Sequence, residues 1–169
     1  ILAIGHSARD TFSELYADGV KMTAKPFAVG VRVEHPQEVV NRAQYKEFAG
    51  HPRLGAAEYR LTYKASNGRG VYTFCMCPGG LVVASASEAG HLVTNGMSEH
   101  ARNQNNANSG LLVQVFPEDF GSDHPLAGIA FQRALEQKAF ELGGSTYQAP
   151  AQLVWDFLKK QPSTAMASV

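Results

Sequence analysis

The sequence has no surplus of either charge, no long apolar run and almost no cysteine, and each shortage removes a class of function. Lys and Arg together number 15, as do Asp and Glu, so no net field draws the chain to nucleic acid or to an anionic membrane. No basic run with interleaved aromatics argues for nucleic acid either. No apolar stretch approaches the roughly 20 residues that span a bilayer, and no signal peptide is visible. The expectation is a cytoplasmic protein with neither a nucleic-acid nor a membrane partner. The six histidines form no helical i, i+4 pair, and no second cysteine pair joins Cys75 and Cys77, so no metal site is expected. Neither a phosphate loop nor the dinucleotide glycine fingerprint is present. The two cysteines stand at i and i+2 of an expected strand, with Cα atoms about 6.6–7 Å apart, at the limit of disulfide reach. Reduced thiols fit that spacing and that compartment.

What the chain does have is glycine, 16 in 169 residues, and one stretch concentrates its meaning. Asn67-Gly68 is a tight hairpin signal, since primed turns need residues that tolerate positive φ. Val71 to Cys77 follows as a strand rich in β-branched and aromatic side chains, with both faces able to bury. Pro78-Gly79-Gly80 ends it, proline by removing a donor and glycine by freeing the backbone. The strand end carries both thiols, so Cys75 and Cys77 are the candidate catalytic groups. Packing as buried thiols is the plainer reading, because a reactive thiolate needs a positive environment.

Around that hairpin the pattern is α+β: an antiparallel meander of short strands with flanking helices. Ile1 to Ile4 reads as the end of a buried strand. Because it starts the chain without a methionine, it suggests a fragment or processed product. Gly5 follows, then a helix carrying Phe12, Leu15 and Tyr16, capped by Ser7 and Asp10. Such a turn is either an ordinary connection or a place where a phosphate approaches helix N–H groups. Ala28 to Glu34 alternates as a half-buried strand, with Val29, Val31 and Val33 against Gly30, Arg32 and Glu34. Arg32 and His35 fit a solvated face better than an acid site. Pro36 opens a helix with Val39, Val40 and Ala43 as its stripe. Strands are expected at Glu58–Lys64, Leu81–Ser85, His91–Asn95 and Leu111–Phe116. Asn95 to Ser98 reads as a terminator, and Arg102 to Gly110, with four asparagines, as a polar loop able to offer amides to a ligand. The longest helix opens at His124-Pro125 and stops at Gly143-Gly144. A last one, about Ala151 to Lys160, is expected to bury Leu153, Val154 and Phe157. Residues 161–169 read as a loose tail.

Several stretches together resemble bacterial FAD-dependent dehydrogenases, flavoproteins of the glutathione-reductase-like superfamily. They are GHSARD at 5–10, the run Lys25 to Pro36, Gly70 to Gly80 with its CMCPGG ending, Asn95 to Ser98, Asn106 to Ser109 and Ala149 to Gln152. They occur in that order and cover about Ile1 to Phe157. The resemblance implies the middle of a longer polypeptide. Residues 1–24 would be the returning strand and helix of the FAD domain, with Gly5, His6, Ser7 and Arg9 at the cofactor. Residues 25–160 would form a substrate or cap domain over the flavin. Its substrate-facing residues would be Pro78, Gly79, Gly80, Asn95, Met97, Asn106, Asn108 and Ser109. Where such proteins usually have Ala-Thr-Gly, this chain has Ala3-Ile4-Gly5, so no hydroxyl stands at Ile4. FAD is implied for the intact protein and its retention by this region alone is not. The implied partners are the Rossmann-type remainder of the same polypeptide and a small-molecule substrate. A non-catalytic small-molecule binding or interaction domain is the alternative.

Overall fold

Runs of β-branched residues bounded by glycine, proline and asparagine become six strands in the computed structural model, which describes residues 1–164. They are β1 (Phe27–Pro36), β2 (Thr62–Lys64), β3 (Gly70–Cys77), β4 (Gly80–Ser85), β5 (Val93–Ser98) and β6 (Asn106–Val115). Four helices accompany them: α1 (Arg9–Ala17), α2 (Gln37–Tyr45), α3 (Ala127–Leu142) and α4 (Val154–Leu158). All strand pairs are antiparallel, so the expected α+β class is the one observed.

The expected single meander is instead two sheets. A four-stranded sheet runs β1-β6-β3-β2, and β4 pairs with β5 alone. Asn67-Gly68 does join β2 to β3, with Tyr63 opposite Val71, and β3 is interior. The departure starts at Pro78-Gly79, where the chain turns off β3, leaving its free edge to β6. The β4–β5 hairpin then lies across one face of the larger sheet. Glu34 fastens it by accepting from the Val82 N–H at 2.8 Å, while its other oxygen accepts from Asn106 Nδ2 at 2.8 Å.

Strand register assigns the faces. Arg32 lies opposite Gly110, and Glu34 opposite Asn108, so the face under the hairpin is polar. Val31 lies opposite Leu111, which also opposes Thr73; Val29, Val113, Val71 and Tyr63 form the next row. That face is open at its middle, with Val31 60% exposed and Leu111 41% exposed even in an interior strand, and covered at its ends, where Val115, Ser109 and Ala107 are buried. The alternation in β1 was legible, but the valine side is the uncovered one and Arg32 is not on a solvated face.

Other expectations shift for local reasons. Ile1 to Ile4 form no strand and are mostly exposed, having no partner strand among the described residues. Ala8, not Ser7, precedes α1, without a side-chain cap. In α2 the buried residues are Gln37 and Val40, while Val39 and Ala43 face out. Of Glu58 to Lys64 only the last three residues are strand, because Ala57 and Tyr59 bond sideways to Asn41, Gln37 and His35. Strand β5 extends through Asn95 to Ser98, and β6 starts at Asn106, five residues before Leu111. Leu153, Val154 and Phe157 are exposed around the five-residue α4. Residues 165–169 of the expected tail lie outside the described residues.

An ion pair ties the end of the large sheet to the loop after β6. Arg69 grips Asp119 with both guanidinium nitrogens, at 2.6 and 2.7 Å. The hydrogen bond from Arg69, with a second from the Phe116 N–H, lowers the Asp119 pKa from 3.8 to about 2. A depressed carboxylate stabilises the fold above its unfolded value, and that contribution fades as pH falls through the folded one. Asp119→Asn should therefore lower the urea midpoint at pH 7. The gap from the parent protein should close between pH 3.8 and about 2.

Candidate functional site

Chain reversal at Pro78 and the β4–β5 hairpin bring distant stretches together at one end of the large sheet. Between Phe74 and Cys77 the register with β6 slips by one residue, and Cys75 takes a left-handed φ of 48°. That bulge turns Cys77 onto the polar face, opposite Asn108, with its sulfur buried. It leaves Cys75 exposed. Non-glycine residues rarely hold such a φ without surrounding structure that fixes it. Here the fixing group is Arg32, whose guanidinium donates to the Cys75 carbonyl at 3.3 Å and to the Asn108 side-chain oxygen, and lies 3.9 Å from Cys77 Sγ. Gly96 of β5 closes over this cluster. A Cβ there would come within 2.6 Å of Cys77 Sγ and overlap Arg32 and Asn108.

The sequence candidates Cys75, Cys77, Pro78, Gly79, Gly80, Asn95, Met97, Asn106, Asn108 and Ser109 thus gather at one junction. Their exposure differs. Cys77, Pro78, Gly79, Gly80, Asn108 and Ser109 are buried. The close approach that Gly79 and Gly80 permit is made by this chain, to Arg102, Met97 and Ser98. Cys75, Asn95 and Met97 are exposed, and Met97 pairs with exposed Leu81 across the hairpin. Asn108 is 0% exposed, yet its Nδ2 has no hydrogen-bond partner.

Gly5, His6, Ser7 and Arg9 lie elsewhere. Ser7 Oγ accepts from Ser87 Oγ at 3.4 Å, beyond the far end of β4, seven residues from Gly80 and so on the order of 20 Å away. Gly5, His6 and Ser7 are exposed, but Arg9 is turned inward. Its guanidinium binds Glu136 at 2.6 and 3.0 Å, Gln132 at 3.0 Å and Glu88 at 3.3 Å. Arg133 holds the other side of Glu88 at 2.8 Å. The hydrogen bond to Glu136 is the main cause that raises the Arg9 pKa, and the Arg133 bond is the first cause that lowers that of Glu88.

Two features of the sheet end were missed in the sequence. Gln37 receives the Gly79 N–H on Oε1 at 2.8 Å and donates to the Ala57 carbonyl at 2.8 Å; nothing local marks a helix-start glutamine for that task. His35 Nε2 and Tyr59 OH share a 2.8 Å hydrogen bond. Burial pushes the Tyr59 phenol up, against an opposing bond with Ser109. The i, i+2 alternation of β1 placed His35 on a face but could not reveal its partner 24 residues away.

Neither of two open grooves touches this junction. One, about 360 Å³, lies among Phe12, Phe27, Phe120 and Ile129 with Lys25 at its edge; the other, about 450 Å³, lies among Tyr45, Phe48, His51 and Leu54. Among the described residues no group of three His, Cys, Asp or Glu side chains could hold a metal ion, and no helix is long and apolar enough to cross a membrane.

Fold and site together define an antiparallel α+β unit with a built junction at one end of its larger sheet and an apolar patch open at the middle of one face. The chain belongs to the family of the FAD-dependent protein, C-terminal domain-like, which its residues 26–169 match. Over its whole length it is 59% identical to an uncharacterised protein of Clostridium beijerinckii, and it spans about a third (32%) of that protein. The family makes the chain a part of an FAD-dependent protein.

Proposed function

We propose that this chain is the substrate-side cover of the flavin in a longer FAD-dependent oxidoreductase, a dehydrogenase acting on a small molecule. The observation that carries the reading is the convergence of the candidate stretches on one sheet end, in a chain of this family. The residues suit part of the cofactor only. A dinucleotide needs N–H groups cradling its phosphates at a helix N-terminus, and the glycine-rich sequence for that is absent. A ring system or substrate needs a firm surface with few, placed polar groups. Exposed Cys75, held at the bulge by Arg32, which also bonds the buried Asn108 amide, answers that description.

The flavin, when bound by the remainder of the polypeptide, supplies the hydride chemistry. This region orients substrate and excludes water. Arg32 fixes Cys75 at the surface and puts a positive charge 3.9 Å from Cys77 Sγ. Asn108 Nδ2, buried under Gly96, keeps two N–H donors with no partner. Purified full-length polypeptide should be yellow with a flavin absorption spectrum. Cys75→Ser should alter turnover while the spectrum persists; unchanged turnover would remove the thiol from the chemistry. A folded, colourless polypeptide would sink the reading and favour a non-catalytic binding or interaction domain.

A further inference from the structure

We infer that the open face of the four-stranded sheet is a docking surface for the remainder of the same polypeptide. The inference rests on the chain being one region of a longer protein, and it assigns which surface meets the rest. A sheet with one solvated face ordinarily carries apolar residues inward and polar residues outward. Here the order is reversed. The covered face holds Arg32, Glu34, Asn106 and Asn108, bonded to one another and to the hairpin except at Asn108 Nδ2. The middle of the other face is open at Val31, Leu111 and Tyr63, which are 60%, 41% and 71% exposed, with half-buried Val29, Val71 and Val113 beside them in register. Val31 and Leu111 are direct cross-strand neighbours, so the patch is contiguous.

Area identifies the occupant. A compact monomer of 18.2 kDa exposes about 8,100 Å², whereas this chain exposes 11986 Å². The excess is about 3,900 Å², and exposed large apolar residues on the sheet (Val31, Leu111, Tyr63) stand beside others around Ile1 and α4. A standard association removes about 800 Å² per partner, so a second copy docking through one such contact would leave most of the excess in water. The related protein is about three times the length of this chain, which spans 32% of it. A continuous polypeptide of that size covers such a surface without the loss of translational freedom that limits a separate partner.

Hydroxyl-radical footprinting of the wild-type full-length polypeptide, read peptide by peptide, tests this without a variant. Oxidation at Tyr63 and Leu111 should be at least about tenfold slower in the native protein than in urea, at every protein concentration tried and with a monomeric mass. Rates within about twofold of the unfolded chain would overturn the inference. So would protection that disappears on dilution together with a dimeric mass, which would assign the face to a second copy. Val31→Cys, labelled with a thiol reagent, should give the same ratio. The colour of the same preparation reports on flavin separately. A protected face on a colourless protein removes the flavoprotein reading and keeps this one, and an open face on a yellow protein does the reverse.

Discussion

Gly79→Ala should cost the full-length polypeptide about 3 kcal/mol of stability, more than replacement of any exposed residue at the sheet end. Two terms add. Gly79 holds φ at 52°, a left-handed conformation that costs an L-residue about 1–2 kcal/mol. A Cβ there would also overlap the carbonyl of Arg102, and backbone cannot swing aside as a side-chain tip does. Such overpacking costs about 1–3 kcal/mol. The Gly79 N–H is already committed to Gln37, so the bend cannot rotate away from the clash without losing that bond. Gly68→Ala is the control. Gly68 has φ at 82° with open space around it, so alanine there meets the conformational term alone, about 1–2 kcal/mol. The urea midpoints of the two variants separate overlap from strain. A Gly79→Ala protein as stable as its parent but deprived of flavin or turnover would show that Gly79 approaches a ligand and not Arg102.

Turn chemistry was legible: Asn67-Gly68 and Pro78-Gly79-Gly80 both mark real reversals, because positive φ and a missing donor are properties of single residues. Periodicity was legible in kind but not in sense. Val29, Val31 and Val33 do share a face, yet period two does not say which face the rest of the chain covers. Local preference alone puts Asn106 and Asn108 in a loop. They are strand residues because Glu34 and Arg32 bond their side chains across β1, a tertiary choice that overrides propensity. The meander failed for a similar reason. Hairpin signals pair neighbours along the chain, whereas β6 displaced β4 from β3 through pairs as distant in sequence as Val71 and Val113. At the junction, the CMCPGG stretch drew attention to the right strand end. The bulge that separates exposed Cys75 from buried Cys77 depends on Arg32, 43 residues earlier, and no local pattern announces it.

Arg9→Ala should also cost about 3 kcal/mol, and it separates two roles for a residue that the family resemblance puts at the cofactor. Arg9 is 6% exposed, and Glu136, which it binds through both nitrogens, is nearly as deep. Removing one partner of a buried pair leaves an unsolvated charge, worth about 3–5 kcal/mol. The lower end applies because Glu88 is a quarter exposed and keeps Arg133. Arg9→Lys retains the charge but cannot fork onto the carboxylate, so it should recover only part of the loss. Replacing the pair together, as Arg9→Met with Glu136→Leu, should recover most of it, since paired apolar groups of similar volume often do as well as a buried ion pair. The pH dependence has a definite sign. Arg133 first and then Arg9 hold the Glu88 carboxyl below its usual 4.5, so their help is fully present above that value and is lost as pH falls through the folded one. The penalty in Arg9→Ala should accordingly shrink in acid below about pH 4.5, as the Glu88 carboxylate that Arg9 shares with Arg133 takes up a proton. A variant of unchanged stability that no longer retains flavin would move Arg9 from the ion network to the cofactor. A destabilised variant that remains yellow would leave it where the hydrogen bonds to Glu136, Gln132 and Glu88 put it: as the tie between α1, α3 and the turn of the hairpin.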